Sequence, residues 1–198
     1  VAIMFEKNDL SALVNEIRSL LNEQSFSCAS LLNTALASVT SNITHNVSKS
    51  VPACVFLPEA VTSIDGPVGL IISSQWDKLA WRVPGFGMIN TSISDRIAVT
   101  ELVGPTGMIK HDSVSMGLLL MAPNLRYPSH SHAAEELYIV LSGTIEWTIQ
   151  DKSIGALMPK MAVRHKPWQP HEMKTRDAPA LLFWGWTGDI RSETYRMN

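Results

Sequence analysis

Residues 130–143, HSHAAEELYIVLSG, carry most of the information about the fold of this 198-residue chain. His130 and His132 are two residues apart, so an extended backbone projects both imidazoles to the same side. From Glu136 onward the residues alternate, so one face of a strand carries this carboxylate and the Tyr138 phenol while the other is apolar. If the polar face looks into a small barrel, the carboxylate needs a strong partner, and a divalent metal is among the few adequate ones.

The chain on both sides of this stretch indicates a mainly β fold. After Thr91, short apolar segments alternate with turn signals, which is the pattern of a β-barrel or a β-sandwich. Ser142-Gly143 lies between two of these segments, so we expect a tight hairpin there. The predicted strands cover residues 97–103, 114–121, 136–141, 144–149, 162–165, 171–175 and 180–186.

The N-terminal part is expected to be helical. Asp9 can cap a helix, and the apolar residues from Leu10 to Leu21 recur at the spacing of one helix face. A second helix is predicted from Ser27 to about Val39. Its expected apolar stripe is Leu31, Leu32, Ala35 and Leu36.

The pattern is weaker from about His45 to Asn90. Prolines break up any long element, the GFG at 85–87 signals a turn, and residues 74–83 fit a short helix or a short strand. The sequence therefore predicts two regions. Residues 1–90 form a helical extension that packs on a barrel, and residues 91–198 form the β-barrel with the metal site.

Composition and charge restrict the class of protein. Apolar residues make up 45% of the chain and the net charge is -2, so neither nucleic acid nor an anionic membrane is an expected partner. No apolar run reaches the roughly 18 residues needed to span a bilayer. Cys28 and Cys54 match no metal or redox spacing, and we expect them to be reduced and buried. The first ten residues lack the pattern of a secretory signal, so we expect a cytoplasmic protein.

A fourth metal ligand is expected from a later strand. His171 follows the segment 167–170, PWQP, a turn that delivers it at the start of a strand. His165 is the alternative, but Arg164 and Lys166 beside it indicate a solvated segment. Imidazole and carboxylate ligands suit zinc, iron, manganese, cobalt or nickel more than calcium. The predicted ligands of one divalent metal ion are His130, His132, Glu136 and His171.

These motifs resemble those of the cupin superfamily. Residues 130–143 resemble the first cupin motif, G(X)5HXH(X)3,4E(X)6G, although Asn124 stands where the motif has its first glycine. Residues 155–171 resemble a degraded second motif, with His171 as its histidine. The resemblance implies a cupin β-barrel (a double-stranded β-helix), here preceded by a helical extension.

A closer resemblance is to the cupin-type dimethylsulfoniopropionate (DMSP) lyases, and by chain length to their Q-type group (DddQ). Tyr127, the pair His130 and His132, Glu136 and Tyr138 carry this resemblance, behind a helical N-terminal half. Enzymes of that family cleave DMSP to dimethyl sulfide and acrylate with a divalent metal. The resemblance therefore implies a metal-dependent carbon–sulfur lyase.

The resemblance also implies roles for single residues. His132, Glu136 and His171 are metal ligands, and His130 lies next to the metal or on it. Tyr138 is a ligand or the catalytic base. Tyr127 is a second active-site phenol, and Trp186 lines the pocket.

The chemistry of a β-elimination agrees with these residue types. A phenol with an ordinary pKa of about 10 is a poor base at neutral pH, but a nearby dication lowers that pKa, and Tyr138 follows Glu136 on the same strand face. The substrate's sulfonium is a cation without hydrogen-bond donors, so aromatic faces suit it. Trp184 and Trp186 share one face of the last apolar strand, and Tyr127 would add a third wall.

Two other classes of function stay open at this point. One is another metal-dependent cupin enzyme, such as a dioxygenase or a sugar isomerase or epimerase. The other is a non-catalytic cupin that binds a small molecule. Tyr127 and Tyr138 favour the lyase over an oxygenase, because an oxygenase needs an open metal position more than a phenolic base. We expect a small-molecule substrate and a monomer or a homodimer.

Overall fold

The structure is a computed structural model that describes residues 7–38 and 49–198, with side chains in the first helix from Ser11 onward. Short helices fill the N-terminal part of the described chain and end just before the first strand. The α-helices are α1 (Lys7–Asn22), α2 (Ser27–Ser38), α3 (Leu57–Thr62), α4 (Pro67–Gln75) and α5 (Thr91–Ser94).

Helix α1 confirms the predicted apolar face but not the predicted cap. Leu13, Ile17 and Leu21 recur every four residues and are fully buried. Asp9 lies inside the helix, so its assignment as the N-cap is wrong. The side chain of Leu10 lies outside the described residues.

Helix α2 also has the predicted start. Leu32 and Leu36 are buried, whereas Leu31 is 56% exposed and was wrongly assigned to the apolar stripe. The predicted end near Val39 and the predicted boundary near His45 lie outside the described residues. Segment 74–83 fitted either a short helix or a short strand. In the structure α4 ends within it at Gln75, and the 3-10 turn Trp76–Lys78 follows.

All of the predicted strands are present, and the structure adds four short ones. The added strands are Ile109–Lys110, Arg126–Ser131, Lys152–Leu157 and Arg196–Met197, and the second of these carries His130. The strands are β1 (Ile97–Gly104), β2 (Ile109–Lys110), β3 (Val114–Met121), β4 (Arg126–Ser131), β5 (Ala134–Ser142), β6 (Ile145–Ile149), β7 (Lys152–Leu157), β8 (Ala162–His165), β9 (His171–Thr175), β10 (Ala180–Gly188) and β11 (Arg196–Met197).

The strands form two sheets that enclose the barrel interior. One sheet has the order β2-β1-β3-β10-β5-β8 and the other the order β11-β4-β9-β6-β7. The turn at Ser142-Gly143 therefore carries the chain from one sheet to the other, and the predicted hairpin between β5 and β6 is wrong. Gly143 has a φ of 79°, and a Cβ there would come within 2.5 Å of the Pro179 carbonyl oxygen, so only glycine fits.

A tight hairpin does occur one strand later, between β6 and β7. Gln150 and Asp151 form its two-residue loop, and both have positive φ, 49° and 62°, as a type I′ turn requires. Asn124, which replaces the first glycine of the cupin motif, has a φ of 51°. Asparagine is among the few residues that adopt this left-handed conformation readily, so the motif keeps its backbone without glycine.

The six-stranded sheet is buried on both faces. Leu137 and Phe183 belong to a core that α1 and α2 share with the outer face of this sheet. Tyr138 belongs to a second core, which fills the space between the two sheets. At Gly185 in β10 an added Cβ would lie 2.6 Å from Cδ1 of Leu32, so the missing side chain lets α2 approach the sheet closely.

This arrangement confirms the mainly β prediction of a cupin barrel with N-terminal helices. Cys28 and Cys54 are free and buried, as predicted. Within residues 7–38 and 49–198, the helices are too short or too polar to cross a bilayer.

Candidate active site and metal centre

The candidate site lies between the two sheets, and strand register assembles it. Glu136 in β5 is the cross-strand neighbour of Trp186 in β10 and of His165 in β8. In the facing sheet, His130 of β4 is paired with His171 of β9. Because neighbouring positions across a sheet point to the same face, both rows direct their side chains into the barrel.

Three buried side chains are close enough to bind one metal ion together. Their ligand atoms, from His132, Glu136 and His171, all lie within 4.8 Å of one another. The Nε2 atoms of His132 and His171 are 3.0 and 3.1 Å from the same oxygen, Oε2 of Glu136. Each of the three residues is at most 2% exposed.

Backbone carbonyls fix the tautomer of these histidines. A carbonyl oxygen only accepts hydrogen bonds, so each Nδ1 that contacts one carries a hydrogen, and a neutral ring then has its lone pair on Nε2. Nε2 is the atom directed into the site in His132 and His171. The contacts are His130 Nδ1 to Pro128 O (2.9 Å), His132 Nδ1 to Ala134 O (3.0 Å) and His171 Nδ1 to Gln169 O (2.9 Å).

This donor set fits a divalent metal ion. Two imidazole Nε2 atoms and a carboxylate oxygen meet in a buried space, and Nε2 of His171 has no hydrogen-bond partner. If one ring carried a proton on Nε2, that proton would satisfy only one of the two contacts between Nε2 and Oε2 of Glu136. A cation bound by all three atoms satisfies both contacts. Burial alone would raise the pKa of Glu136, but the imidazoles around it, first among them His132, hold that pKa well below its usual range.

His130 lies beside this group rather than within it. Its ring stacks on Tyr127 at a centroid distance of 4.3 Å and meets the His171 ring edge-on at 4.1 Å. Burial and the nearby His171 hold the pKa of His130 well below its usual value, so the ring is neutral at pH 7. Direct binding of a metal by His130 therefore stays a prediction.

Both predicted phenols line the cavity beside Glu136. Burial raises the pKa of Tyr138 well above its usual value, and the negative charge of Glu136 raises it further. A bound dication would act in the opposite direction. Burial also raises the pKa of Tyr127, whose hydroxyl lies 2.7 Å from the hydroxyl of Tyr195.

The cavity beside Glu136 has a volume of about 40 Å³, and six of its thirteen lining residues are Phe, Tyr or Trp. The indole N–H of Trp186 donates to Oε1 of Glu136 at 2.7 Å, and its ring contacts Trp184 at a centroid distance of 5.8 Å. Aromatic ring faces of this kind attract small cations. The aromatic wall consists of Phe86, Tyr127, Tyr138, Trp184, Trp186 and Tyr195.

Sequence reasoning missed three residues that line this cavity. Tyr195 is 2% exposed and lies beyond the last predicted strand, where nothing in the sequence connects it with the site. Phe86 was assigned only to a turn, and its ring contacts both Trp186 and Tyr195. The guanidinium of Arg82 lies 5.1 Å from the centre of the Phe86 ring, and burial lowers the pKa of this arginine.

The interpretation of His165 as part of a solvated segment is wrong. His165 is fully buried, because β8 alternates and directs Val163 and His165 inward. Arg164 points outward instead and forms an ion pair with Glu135. The Nδ1 atom of His165 lies 3.6 Å from Oε2 of Glu136.

Comparison with known proteins identifies a matching family and several relatives. The family model described as dimethylsulfoniopropionate lyase matches residues 24–182. The chain is 32% identical over 113 residues to dimethylsulfoniopropionate lyase DddQ of Ruegeria pomeroyi, covering 57% of this chain and 56% of that protein. It is 33% identical over 113 residues to the putative dimethylsulfoniopropionate lyase DddL of Cereibacter sphaeroides, covering 56% and 47%.

The matched region thus spans about half the length of these curated relatives. A solved structure extends the similarity in fold to nearly the whole chain. The crystal structure of DMSP lyase DddQ from Ruegeria pomeroyi superposes with a TM-score of 0.75 at 23% identity, covering 98% of both chains. At that identity the match establishes the shared fold alone.

Proposed function

The chain belongs to the dimethylsulfoniopropionate lyase family, and from this premise we propose that it cleaves DMSP to dimethyl sulfide and acrylate by a metal-dependent β-elimination. The observation that carries the proposal is the convergence of the Nε2 atoms of His132 and His171 on Oε2 of Glu136. A phenol and an aromatic wall adjoin this group in the same cavity.

We propose that His132, Glu136 and His171 bind the metal. His130 either binds it as well or packs beside the bound ion. A divalent ion bound there would supply a positive charge that stabilises the negative charge developing on the substrate carboxylate and on a nearby phenolate. The ligand types suit Zn²⁺, Fe²⁺, Mn²⁺, Co²⁺ and Ni²⁺.

Tyr138 is the proposed base. Its phenolate removes the proton from the carbon next to the substrate carboxylate, and the electrons of that C–H bond form the new C=C bond. The C–S bond breaks, and its electron pair leaves with sulfur as neutral dimethyl sulfide. Tyr127 is the second phenol of the site, and its hydroxyl is already engaged with the hydroxyl of Tyr195. This engagement favours Tyr138 over Tyr127 as the base.

The aromatic wall is the proposed binding site for the sulfonium. A sulfonium cannot donate a hydrogen bond, and aromatic ring faces attract cations. The rings of Trp184 and Trp186 are tilted by 72° to each other, which forms a corner rather than a flat surface. Trp186 has a second role, since its N–H holds Oε1 of Glu136 and so orients the carboxylate.

Headspace gas chromatography of the purified protein tests the proposal. Protein stripped with a chelator is divided into aliquots, each reloaded with one of the five metals, and DMSP is added. We expect dimethyl sulfide and acrylate in equal amounts with at least one metal and only background release from the stripped protein. Background release with every metal would overturn the proposal.

A further inference from the structure

His165 differs from the other buried histidines of the site in what its two nitrogens face. Its Nε2 lies 2.9 Å from the indole Nε1 of Trp147, and its Nδ1 lies 3.6 Å from Oε2 of Glu136. His130, His132 and His171 direct Nδ1 to a backbone carbonyl instead. Both His165 and Trp147 are fully buried, so water does not compete for these contacts.

The partner of Nε2 determines where the hydrogen of His165 lies. An indole N–H can only donate, so Nε2 of His165 must be the unprotonated acceptor. A neutral imidazole has one N–H, which must therefore be on Nδ1. A doubly protonated ring would place an N–H against the indole N–H of Trp147, so the observed contact requires the neutral form.

We propose that Trp147 fixes His165 as the Nδ1–H tautomer and that His165 is a positioning residue, which donates this hydrogen to Oε2 of Glu136. In the structure Nδ1 of His165 has no hydrogen-bond partner, and Oε2 of Glu136 lies 3.6 Å away, about 0.4 Å beyond the usual upper limit for N–H···O, so the proposed bond requires the two groups to approach by that amount. Trp186 already donates to Oε1 at 2.7 Å. With one donor on each oxygen, the plane of the carboxylate is fixed.

The same reasoning excludes His165 as a metal ligand. A ligand nitrogen needs a free lone pair, and in this tautomer one nitrogen is protonated while the other accepts from Trp147. The ring instead lies parallel to His171, with a centroid distance of 3.8 Å and an interplanar angle of 6°. His165 thus adjoins two of the proposed ligands, Glu136 through the proposed hydrogen bond and His171 through stacking.

Nitrogen-15 NMR of histidine-labelled, metal-free protein tests the tautomer directly. The two ring nitrogens have distinct shifts when protonated, and the signals missing from a His165→Asn variant identify this residue. We expect Nδ1 to be protonated and Nε2 to be unprotonated in the wild type. Replacement of Trp147 by Phe should weaken that preference, because it removes the donor. A wild-type His165 protonated on Nε2 would overturn the inference.

Zinc affinity, measured by competition with a chromophoric chelator, tests the effect on Glu136. This part of the inference rests on the proposed metal site. In His165→Asn the side-chain N–H₂ group occupies the position of Nδ1 and keeps a donor toward Glu136, whereas His165→Leu, of similar size, has none. We expect the Kd for Zn²⁺ to rise roughly tenfold to a hundredfold in the Leu variant, and to stay near the wild-type value in the Asn variant.

Equal loss of affinity in both variants, or no loss in either, would overturn the positioning role. Circular dichroism of each variant shows whether it folds. A wild-type protein that does not bind Zn²⁺ or any of the other four metals would instead contradict the proposed function, and the NMR experiment still decides the tautomer in that case.

Discussion

The two faces of the six-stranded sheet are equally well buried but differ in chemistry. The outer face packs against the helices through aliphatic side chains such as Leu137 and through Phe183. The inner face, which looks toward the five-stranded sheet, carries Glu136, Tyr138 and the two tryptophans of β10. The difference teaches that burial by itself does not locate a functional site, whereas a cluster of buried imidazole, carboxylate and phenol groups points to one.

The alternation of a single strand separates these two kinds of environment. Leu137 lies between Glu136 and Tyr138 in sequence, but its side chain is on the opposite side of the sheet. Substitutions on the inner face should therefore change metal binding and turnover, and substitutions on the outer face should change stability alone. The predictions below test this separation.

The largest expected effect is that of Glu136→Ala. Removal of residues that merely support a metal ligand weakens metal binding tenfold to a hundredfold, so loss of a ligand should weaken it by more than about 100-fold and abolish dimethyl sulfide release. Metal content by mass spectrometry and headspace gas chromatography measure the two effects. Glu135→Ala is the matched control, because the half-buried Glu135 pairs with Arg164 and does not contact the metal-ligand candidates. Normal metal content in Glu136→Ala would contradict the ligand assignment.

Tyr138→Phe should separate chemistry from metal binding on the inner face. We expect it to retain the metal and to lose turnover by about 100-fold to 10,000-fold, since a positioned base contributes that much. Steady-state kinetics with metal analysis provide the measurement. Tyr127→Phe should lose less activity. If Tyr138→Phe is fully active, another group is the base, and Tyr127 is the first to test.

Leu137→Ala tests the outer face at the position between these two residues. It removes a fully buried side chain and should lower the free energy of unfolding by about 2–5 kcal/mol. Urea denaturation measures this loss. The Kd for Zn²⁺ of the folded variant should not change, and a rise as large as that caused by a ligand substitution would contradict the separation of the two faces.

The smallest effect concerns Cys28, which lies in the outer core. Burial raises the pKa of its thiol, and Glu135 raises it further. Because the folded pKa lies above that of the unfolded chain, Cys28 should leave stability unchanged below about pH 8. Stability should then fall as the pH rises through the ordinary thiol pKa. Iodoacetamide at pH 8 should label this cysteine only after unfolding, and mass spectrometry after digestion detects it.

The parts predicted from the sequence were those that local alternation determines. The long strands and the apolar face of α1 follow from residue spacing, and the first cupin motif brought together His132 and Glu136. Strand β7 was missed because it lies at a sheet edge, with its first four residues exposed, so it does not alternate.

The rest of the site depends on contacts between distant segments. Tyr195 meets Tyr127 across 68 residues, and no local pattern encodes that contact. His165 was misjudged because charged neighbours imply solvent, yet in a strand the neighbours of a buried residue point the other way. The Ser142-Gly143 turn joins two sheets, and a sequence does not distinguish such a turn from a hairpin.

The close approach at Gly185 has a consequence for how this family can diverge. Gly185 lies between the two tryptophans of the aromatic wall, and Leu32 of α2 occupies the space that a side chain would need. A larger residue at position 185 therefore requires a smaller one at position 32. Otherwise α2 must move away from the sheet and strain the strand that carries both tryptophan rings. Among related sequences, these two positions should covary even though they are far apart in the chain and only one lies beside the site.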